Sequence, residues 1–514
     1  MLKYREKYDI VIVGSGLAGL VSAIILSKEG KRVCVLEKNN QFGGNLQTFV
    51  RDKTIFDTGV HYIGGLNEGQ NLHQYFKYIG ILDGLRLHKM DEDGFDIISF
   101  DGDPKEYKHA QGYENFISTL LKEFPEEEKG IRLYCEKLQE TCLKFPLYSL
   151  KKGEPYYDDA EIFQIPAKEM INSFTDNKKL QAVLAGTNYL YAGDQNRTPF
   201  FVHALSTNSY IQSSYRCING GSQITKLLIR RLKELGGDAF KHHEVEKFET
   251  KDGRVRSVTT TKGVKIFGDL FISNIEPKLT VKMVGEENFR KSYVNRIAKI
   301  ESTIAAFTLY LVLKPGSFKY QNRNFYHFKD VNRVWDSHHY TPESWPEGYM
   351  LSMGIKQNSD EYGDNIAIMT YMNFDELKPW EDTHNTVANK NERGQTYEEF
   401  KAQKAEILLD EVEKKFPNIR DCIQAYYTST PLSYRDYIGS NRGSMYGYVK
   451  DVNKPLHSHL SPRTKIKNLF FTGQSLNMHG ILGVTISAII TCSEILGKDY
   501  LLDKILESNN HKVH

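Results

Sequence analysis

Short, almost uninterrupted apolar runs alternate with amphipathic stretches along the chain. Tyr8–Val13 reads YDIVIV, a β-branched run typical of a strand buried on both faces of a parallel sheet. A helical pattern then continues to Gly30, and a second apolar run over residues 32–36 ends at Glu37. This order predicts a parallel βαβ unit at the start of the chain.

Two later regions show the same alternation. An amphipathic helix is predicted in the middle of the chain, ending at Gly236-Gly237. Its apolar residues recur at helical spacing: Ile224, Leu227, Leu228, Leu232 and Leu235. Strand-like runs follow at residues 243–250, 255–260 and 269–274. Near the end of the chain, residues 468–471 predict a buried strand and residues 484–496 a helix. The fold class is therefore α/β, with a Rossmann-like sheet assembled from distant segments.

Composition and charge narrow the functional classes. The chain has 514 residues, 40% of them hydrophobic and 26% charged, with a net charge of +2. This near-balance gives no sign of nucleic-acid binding. The N-terminus leaves no room for a cleavable leader, and no run of about 18 apolar residues occurs. We expect a cytoplasmic protein; peripheral contact with the inner face of the membrane and the oligomeric state stay open.

Neither the cysteines nor the histidines suggest a metal site. The six cysteines are widely spread, without a C-x-x-C pair. The histidine pairs at 338–339 and 457/459 have no H-E-x-x-H motif or acidic cluster beside them. We therefore expect turn or surface histidines and no bound metal.

A glycine turn follows the first strand. It reads GSGLAG, with its glycines in the G-x-G-x-x-G spacing: Gly14, Ser15, Gly16, Leu17, Ala18 and Gly19. In such a turn the first glycine allows the bend, the second lets the backbone approach a pyrophosphate, and the third lets helix and strand pack closely. Glu37 lies where a carboxylate accepts hydrogen bonds from ribose hydroxyls, which also argues against a 2′-phosphate. The sequence predicts a dinucleotide site.

The segment after Glu37 resembles the flavin amine-oxidase and phytoene-desaturase superfamily. The chain continues EKNNQFGGN, with Lys38, the pair Gly43-Gly44 and Asn45, and then FDTGVHYIGG over residues 56–65. In that superfamily the first segment wraps the ribityl and pyrophosphate of FAD, and the second runs beside the isoalloxazine ring. The resemblance implies FAD as the cofactor.

The same resemblance assigns cofactor contacts further along the chain. It implies that Val245 offers backbone groups to the adenine. It also implies that the turn TGQSLNMHGILG lies across the pyrophosphate and the flavin ring. Gly473, Gln474, Gly480 and Gly483 are carried over on this ground.

Within the superfamily the chain is most similar to the retinol saturase branch. The shared segments run in the expected order along nearly the whole chain: FDTGVHYIGG, LQAVLAG, TPFFVHAL, ING-GS, FISN, RGSMYG, FTGQ and GILGV. The chain departs from its relatives in two ways. The leader of the animal enzymes is missing, and an H-G-I-L-G turn stands where bacterial carotene desaturases have P-G-x-G.

The interrupted pattern predicts two discontinuous domains. Residues 1–75, 212–300 and 462–514 form an FAD-binding domain, and residues 76–211 and 301–461 form an α+β substrate-binding domain. The second is rich in Tyr and Phe, which line an apolar tunnel or fill a core. The run at residues 303–313 is expected in the floor of that tunnel.

The resemblance implies an FAD-dependent oxidoreductase acting on CH–CH groups of an apolar polyene or isoprenoid lipid. His61 and Tyr62 are candidate proton donors beside the flavin, with His61 as a pocket-shaping residue as the alternative. Tyr446 and Arg442 are candidates to close the site. A second glycine-rich dinucleotide motif is absent, so no separate NAD(P)H domain is expected. Electrons then come from NAD(P)H docking directly at the flavin, from a reduced protein or quinone, or from the substrate itself. A carotenoid desaturase or isomerase, and a non-enzymatic escort protein for prenylated partners, stay open.

Overall fold

The computed structural model describes residues 4–153, 156, 160–356, 361–387 and 390–510. Its strands are β1 Tyr8–Val13, β2 Val33–Leu36, β3 Thr48–Arg51, β4 Thr54–Asp57, β5 Ile63–Gly64, β6 Leu87–Lys89, β7 Asp96–Phe100, β8 Tyr107–His109, β9 Ser214–Cys217, β10 Asp238–Phe240, β11 Val245–Lys251, β12 Arg254–Thr260, β13 Lys265–Ser273, β14 Ala305–Leu313, β15 Asn324–Phe328, β16 Gly348–Ser352, β17 Asn365–Met372, β18 Ile423–Ser429 and β19 Leu469–Phe471.

The α-helices surround and connect these strands. They are α1 Leu17–Lys28, α2 Asn71–Ile79, α3 Tyr113–Leu121, α4 Glu128–Leu143, α5 Pro146–Ser149, α6 Ala167–Asn172, α7 Lys178–Ala185, α8 Phe200–Gln212, α9 Ser222–Glu234, α10 Pro277–Val284, α11 Lys291–Lys299, α12 Gln395–Lys415, α13 Ile419–Cys422, α14 Pro431–Ile438, α15 Gly480–Leu496 and α16 Lys498–Asn510.

The first large sheet has a parallel centre. Strands β10, β2, β1, β13 and β19 run parallel in that order, and β13, β12 and β11 continue it as an antiparallel meander. Helix α1 packs against α9 and α15, and all but the last of its residues are buried. Its continuous apolar sequence is explained by this burial on every side.

The second large sheet is mainly antiparallel, in the order β18-β14-β17-β16-β15-β7-β8. Only the β15–β7 pair in this sheet, among the described residues, is parallel. Every residue of β14 is buried, as its apolar sequence predicts. A small sheet, β5-β9-β6, joins segments that are distant in the chain.

The two large sheets draw on different parts of the chain. Strands of the first come from residues 8–36, 238–273 and 469–471, and strands of the second come from residues 96–109 and 305–429. The domain boundaries themselves stay a prediction. The final apolar helix α15 starts at Gly480, earlier than the predicted start at Val484. Among the described helices, none is both long enough and apolar enough to cross a bilayer.

Candidate functional site

The glycine turn after β1 has the backbone that a bound phosphate requires. Gly14 has φ +97°, a conformation that disfavours side chains. A Cβ on Gly19 would lie 2.2 Å from the Gly14 carbonyl oxygen, so only glycine lets α1 pack this close to the turn. Gly16 is the N-cap of α1 and no side chain caps it, which leaves free N–H groups at the positive end of the helix.

Glu37 closes this cradle from the end of β2. It is 5% exposed and lines the cavity above the turn. Its Oε2 accepts hydrogen bonds from the Ser15 N–H (3.2 Å) and hydroxyl (2.5 Å), and its Oε1 accepts one from the Asn39 N–H (2.8 Å). A carboxylate has about four acceptor positions, so room for a ribose hydroxyl remains.

The pair Gly43-Gly44 crosses the turn from the other side. Gly16 and Gly43 form a β-bridge, and the Gly43 N–H donates to the Ser15 hydroxyl at 3.1 Å. A Cβ on Gly44 would lie 3.2 Å from Gly16 Cα, and one on Gly43 would lie 2.4 Å from the Thr225 hydroxyl. Two glycine segments therefore meet backbone to backbone and leave the space above them for a ligand.

More distant segments complete this first cavity. Most of the predicted contacts line it: Gly14, Ser15, Gly16, Leu17, Glu37, Lys38, Gly43, Gly44, Asn45, Val245, Gly473 and Gln474. Lys38 Nζ donates to the Asp436 carbonyl at 2.8 Å, and burial lowers the pKa of this lysine. Ala18 and Gly19 lie behind the wall, and Gly483 lines a neighbouring cavity instead. The glycine cradle, the uncapped helix and the carboxylate fit the nucleotide half of FAD.

His61 and Tyr62 both line the first cavity, but their polar groups have different neighbours. Burial, and next the charge of Arg216, lower the pKa of His61 to about 4, so its ring is neutral at neutral pH. The Tyr62 hydroxyl donates to Asp96 Oδ2 at 2.9 Å and lies 2.7 Å from the Tyr326 hydroxyl. The Tyr62 ring stacks on the Tyr210 ring, with 4.2 Å between the ring centres.

A buried polar network behind Tyr62 was missed by the sequence analysis. Burial raises the pKa of Asp96 to about 7, although Asn324 donates to it at 2.8 Å. Arg216, 2% exposed, donates to the Asn324 side-chain oxygen at 2.9 Å and to the His61 carbonyl at 3.4 Å. Arg216 lies two residues before the ING-GS segment, and nothing local marked it as buried. The network fixes the orientation of Tyr62.

Tyr446 and Arg442 are separated by the structure. Tyr446 lines the first cavity, its hydroxyl donates to the Tyr189 carbonyl at 2.7 Å, and its ring lies 4.4 Å from that of His479. The Arg442 side chain is half exposed, pairs with Asp375 at 2.8 Å, and does not belong to the lining of either cavity. Only the tyrosine is brought to the candidate site.

A second, more apolar cavity adjoins the first. Helices α5, α8 and α15 and their connecting segments line it, mainly with large side chains: Phe145, Tyr148, Phe163, Phe201, Leu205 and Ile486. Both cavities are lined by Leu190, Tyr210, His479, Gly480 and Ile481, so the two spaces meet there. Residues of β14 line neither cavity, so the expected tunnel floor lies elsewhere.

His479 stands at this junction and was not singled out from the sequence. One ring nitrogen, Nε2, is 2.9 Å from the Leu190 carbonyl, and burial lowers the pKa of His479 to about 4. Its position directly before Gly480, in the turn assigned to the flavin, was the available signal. His61 in the first cavity and His479 at the junction are thus two neutral imidazoles beside the flavin site.

One histidine pair lies closer to acids than expected. Asp194, His338 and His339 each offer a ligand atom, and these atoms lie within 4.8 Å of one another. His338 Nε2 is 3.1 Å from Asp194, and His339 Nδ1 is 2.7 Å from Asp336. Each ring thus already has a carboxylate partner.

Comparison with known proteins agrees with the motifs. Residues 12–79 match the model of an NAD(P)-binding Rossmann-like domain. The chain is 28% identical to rat all-trans-retinol 13,14-reductase over 97% of this chain and 87% of the relative. It is 25% identical to chloroplastic prolycopene isomerase 1 of an Oncidium hybrid cultivar, over 97% and 85% of the two chains. A solved putrescine oxidase shares the fold, with a TM-score of 0.65 at 13% identity over 96% and 99% of the chains.

Proposed function

We infer that this chain is an FAD-dependent oxidoreductase acting on C=C or C–C bonds of an apolar polyene or isoprenoid lipid. The chain is related over nearly its whole length to the retinol saturases and prolycopene isomerases, which belong to the phytoene desaturase and FAD-dependent amine oxidase superfamily. The observation that carries this inference is the junction at Tyr210 and His479. There the first cavity, called the nucleotide cavity below, meets the apolar cavity.

The two cavities divide the work of such a reaction. Bound FAD supplies hydride transfer. The chain holds the nucleotide with the Gly14–Gly19 turn and Glu37, and the apolar side chains of the second cavity bind the lipid and exclude water. Because no second dinucleotide motif occurs in the sequence, we propose that NAD(P)H reaches the flavin from solution when electrons are needed.

The second hydrogen of a saturation requires a proton source beside the flavin site. His61 and His479 are neutral at neutral pH, and a neutral imidazole is a very weak acid, so either ring can pass on its N–H proton only as its other nitrogen takes up a proton from water. The Tyr446 hydroxyl is already committed to the Tyr189 carbonyl, and that of Tyr62 to Asp96. We propose that His61 passes the proton to the substrate carbon while water supplies a proton to its other ring nitrogen, with Tyr62 fixing the wall beside it.

A redox-neutral isomerase is the second candidate, favoured by the similarity to prolycopene isomerase. One experiment separates the alternatives. Reduced and oxidised protein are incubated anaerobically with retinoids, carotenoids and unsaturated lipids, and the products are analysed by mass spectrometry. A gain of two hydrogens is the expected result, loss of two hydrogens indicates a desaturase, and unchanged mass with altered retention indicates an isomerase.

An escort protein for prenylated partners would not require flavin. The visible spectrum of the purified protein tests this alternative: flavin bands support the oxidoreductase, and their absence after adding FAD supports the escort. We propose a cytoplasmic location with peripheral contact at the inner face of the membrane, where apolar lipids are found. Cell fractionation checks this location.

A further inference from the structure

The apolar cavity also has polar lining residues. Lys450, Asp451, Ser458 and His459 line it together with the aromatic and aliphatic side chains of α5, α8 and α15. Ser458 is 3% exposed, and its hydroxyl has no hydrogen-bond partner within the described part of the chain. A buried hydroxyl without a partner costs free energy, which a ligand can recover.

The ammonium of Lys450 has no carboxylate partner. Its Nζ donates to two backbone carbonyls, those of Ser458 at 3.4 Å and Leu476 at 3.3 Å. The carboxylate next in the chain, Asp451, is paired with the Arg197 guanidinium at 3.0 Å. Of the residues that the structure describes, none forms an ion pair with Lys450. Burial lowers the pKa of Lys450 to about 8, so the group stays largely protonated at neutral pH.

Asp451 also lines this cavity, but its carboxylate is paired with Arg197, and the two neighbouring histidines add no negative charge. Burial lowers the pKa of both His459 and His479 to about 4, and the charge of Lys450 lowers it further. Both rings are therefore neutral at neutral pH. Lys450 is a partly buried cation at an apolar cavity without a carboxylate partner, a costly arrangement unless a ligand brings the opposite charge.

We propose that Lys450 binds a carboxylate at the end of the lipid substrate, with the Ser458 hydroxyl donating to the same group. This deepens the proposed function, on which it rests. A carboxylate neutralises the ammonium and provides acceptors for both donors, whereas a neutral alcohol leaves the charge unpaired. The long apolar remainder of the ligand fits the rest of the cavity.

The position of Lys450 places this end group near the flavin site. Leu476, which accepts a hydrogen bond from Lys450, follows the segment whose Gln474 and Ser475 line the first cavity. The charge of Lys450 also acts on His479 at the junction. The carboxylate end is therefore expected on the side of the apolar cavity that approaches the junction, with the apolar tail in the remaining space.

The test compares acids with matched alcohols on the flavin-loaded protein. The probes are all-trans-retinoic acid against all-trans-retinol, and palmitic acid against hexadecanol, with dissociation constants taken from the change in flavin absorbance. We expect each acid to bind at least about tenfold tighter than its alcohol, as a desolvated charge pair should. Equal affinities would overturn the proposal.

Variants assign the preference to the lysine. In Lys450→Met, which keeps the aliphatic stem, the acids should lose about tenfold in affinity and the alcohols less than about threefold. Lys450→Arg should keep most of the preference, and Lys454→Met, an exposed neighbour, should change nothing. Flavin content should stay constant throughout. An acid preference that survives in Lys450→Met would overturn the proposal.

The saturated probes separate this inference from the proposed function. Lysine-dependent binding of palmitic acid, without binding or conversion of any polyene, would support the carboxylate site and refute the polyene activity. Conversion of polyenes with no preference for acids would support the polyene activity and refute the carboxylate site.

Discussion

The two cavities that meet at Tyr210 and His479 are built in different ways. The wall of the nucleotide cavity at the glycine turn is backbone: glycines at Gly14, Gly16, Gly43 and Gly44, and the N-terminus of α1. The walls of the apolar cavity are side chains from α5, α8, α15 and separate connecting segments. A backbone wall tolerates no added atoms, whereas a side-chain wall changes shape with each substitution. The first kind fixes a cofactor, and the second selects a substrate.

The largest expected effect is loss of flavin in Gly16→Val. A Cβ at this position already lies 3.0 Å from the Asn274 amide nitrogen, and a valine would place further methyl groups beside the N-terminus of α1. Flavin per protein should fall by at least about tenfold, because the backbone can no longer approach the pyrophosphate. Visible absorbance of the purified variant measures it.

The control is Gly102→Val, in a turn outside both cavities where a Cβ meets no atom within 4 Å; since Gly102 has φ +72°, the valine strains the backbone there without touching the nucleotide cavity. It should keep its flavin. Full flavin in both variants would show that the turn does not hold the cofactor.

Glu37→Ala should weaken flavin binding without abolishing it. Loss of hydrogen bonds from a carboxylate costs about 1.5–3 kcal/mol, which corresponds to about 10- to 100-fold in affinity. Titration of the apoprotein with FAD gives the dissociation constant. Ser15→Ala removes the internal partner of the carboxylate (2.5 Å) but keeps the carboxylate, so it should cost less. If Ser15→Ala costs as much as Glu37→Ala, the carboxylate acts on the loop rather than on the ribose.

Ile486→Trp should affect the other cavity alone. Ile486 lines the apolar cavity and not the nucleotide cavity, so a larger ring there fills substrate space. We expect polyene affinity to fall about tenfold with unchanged flavin content. Ile486→Val, which enlarges the cavity slightly, is the control and should bind polyene nearly as the parent does. Loss of flavin in the tryptophan variant would mean that the two cavities are not separable.

The same difference explains what the sequence could predict. Tyr8–Val13, the glycine turn and Glu37 lie within about one βαβ unit, where local pattern dictates backbone geometry, and most of the predicted flavin contacts line one cavity. Arg216 and His479 could not be assigned in this way. Their roles depend on burial and on contacts with Asn324 and Leu190, far away in the chain.

Arg442→Ala should have the smallest effect and tests how far a family motif can be extended to single residues. RGSMYG was recognised as one unit, yet Tyr446 lines the nucleotide cavity and the Arg442 side chain pairs with Asp375 in a half-exposed position. Exposed ion pairs contribute between zero and about 1 kcal/mol to stability, so the unfolding midpoint should barely move. Flavin content and turnover should stay within about twofold of the parent, since no cavity wall changes. Tyr446→Phe, beside the junction, is the comparison and should alter turnover more. A loss of turnover in Arg442→Ala larger than that in Tyr446→Phe would mean that the surface arginine closes over the site when substrate binds.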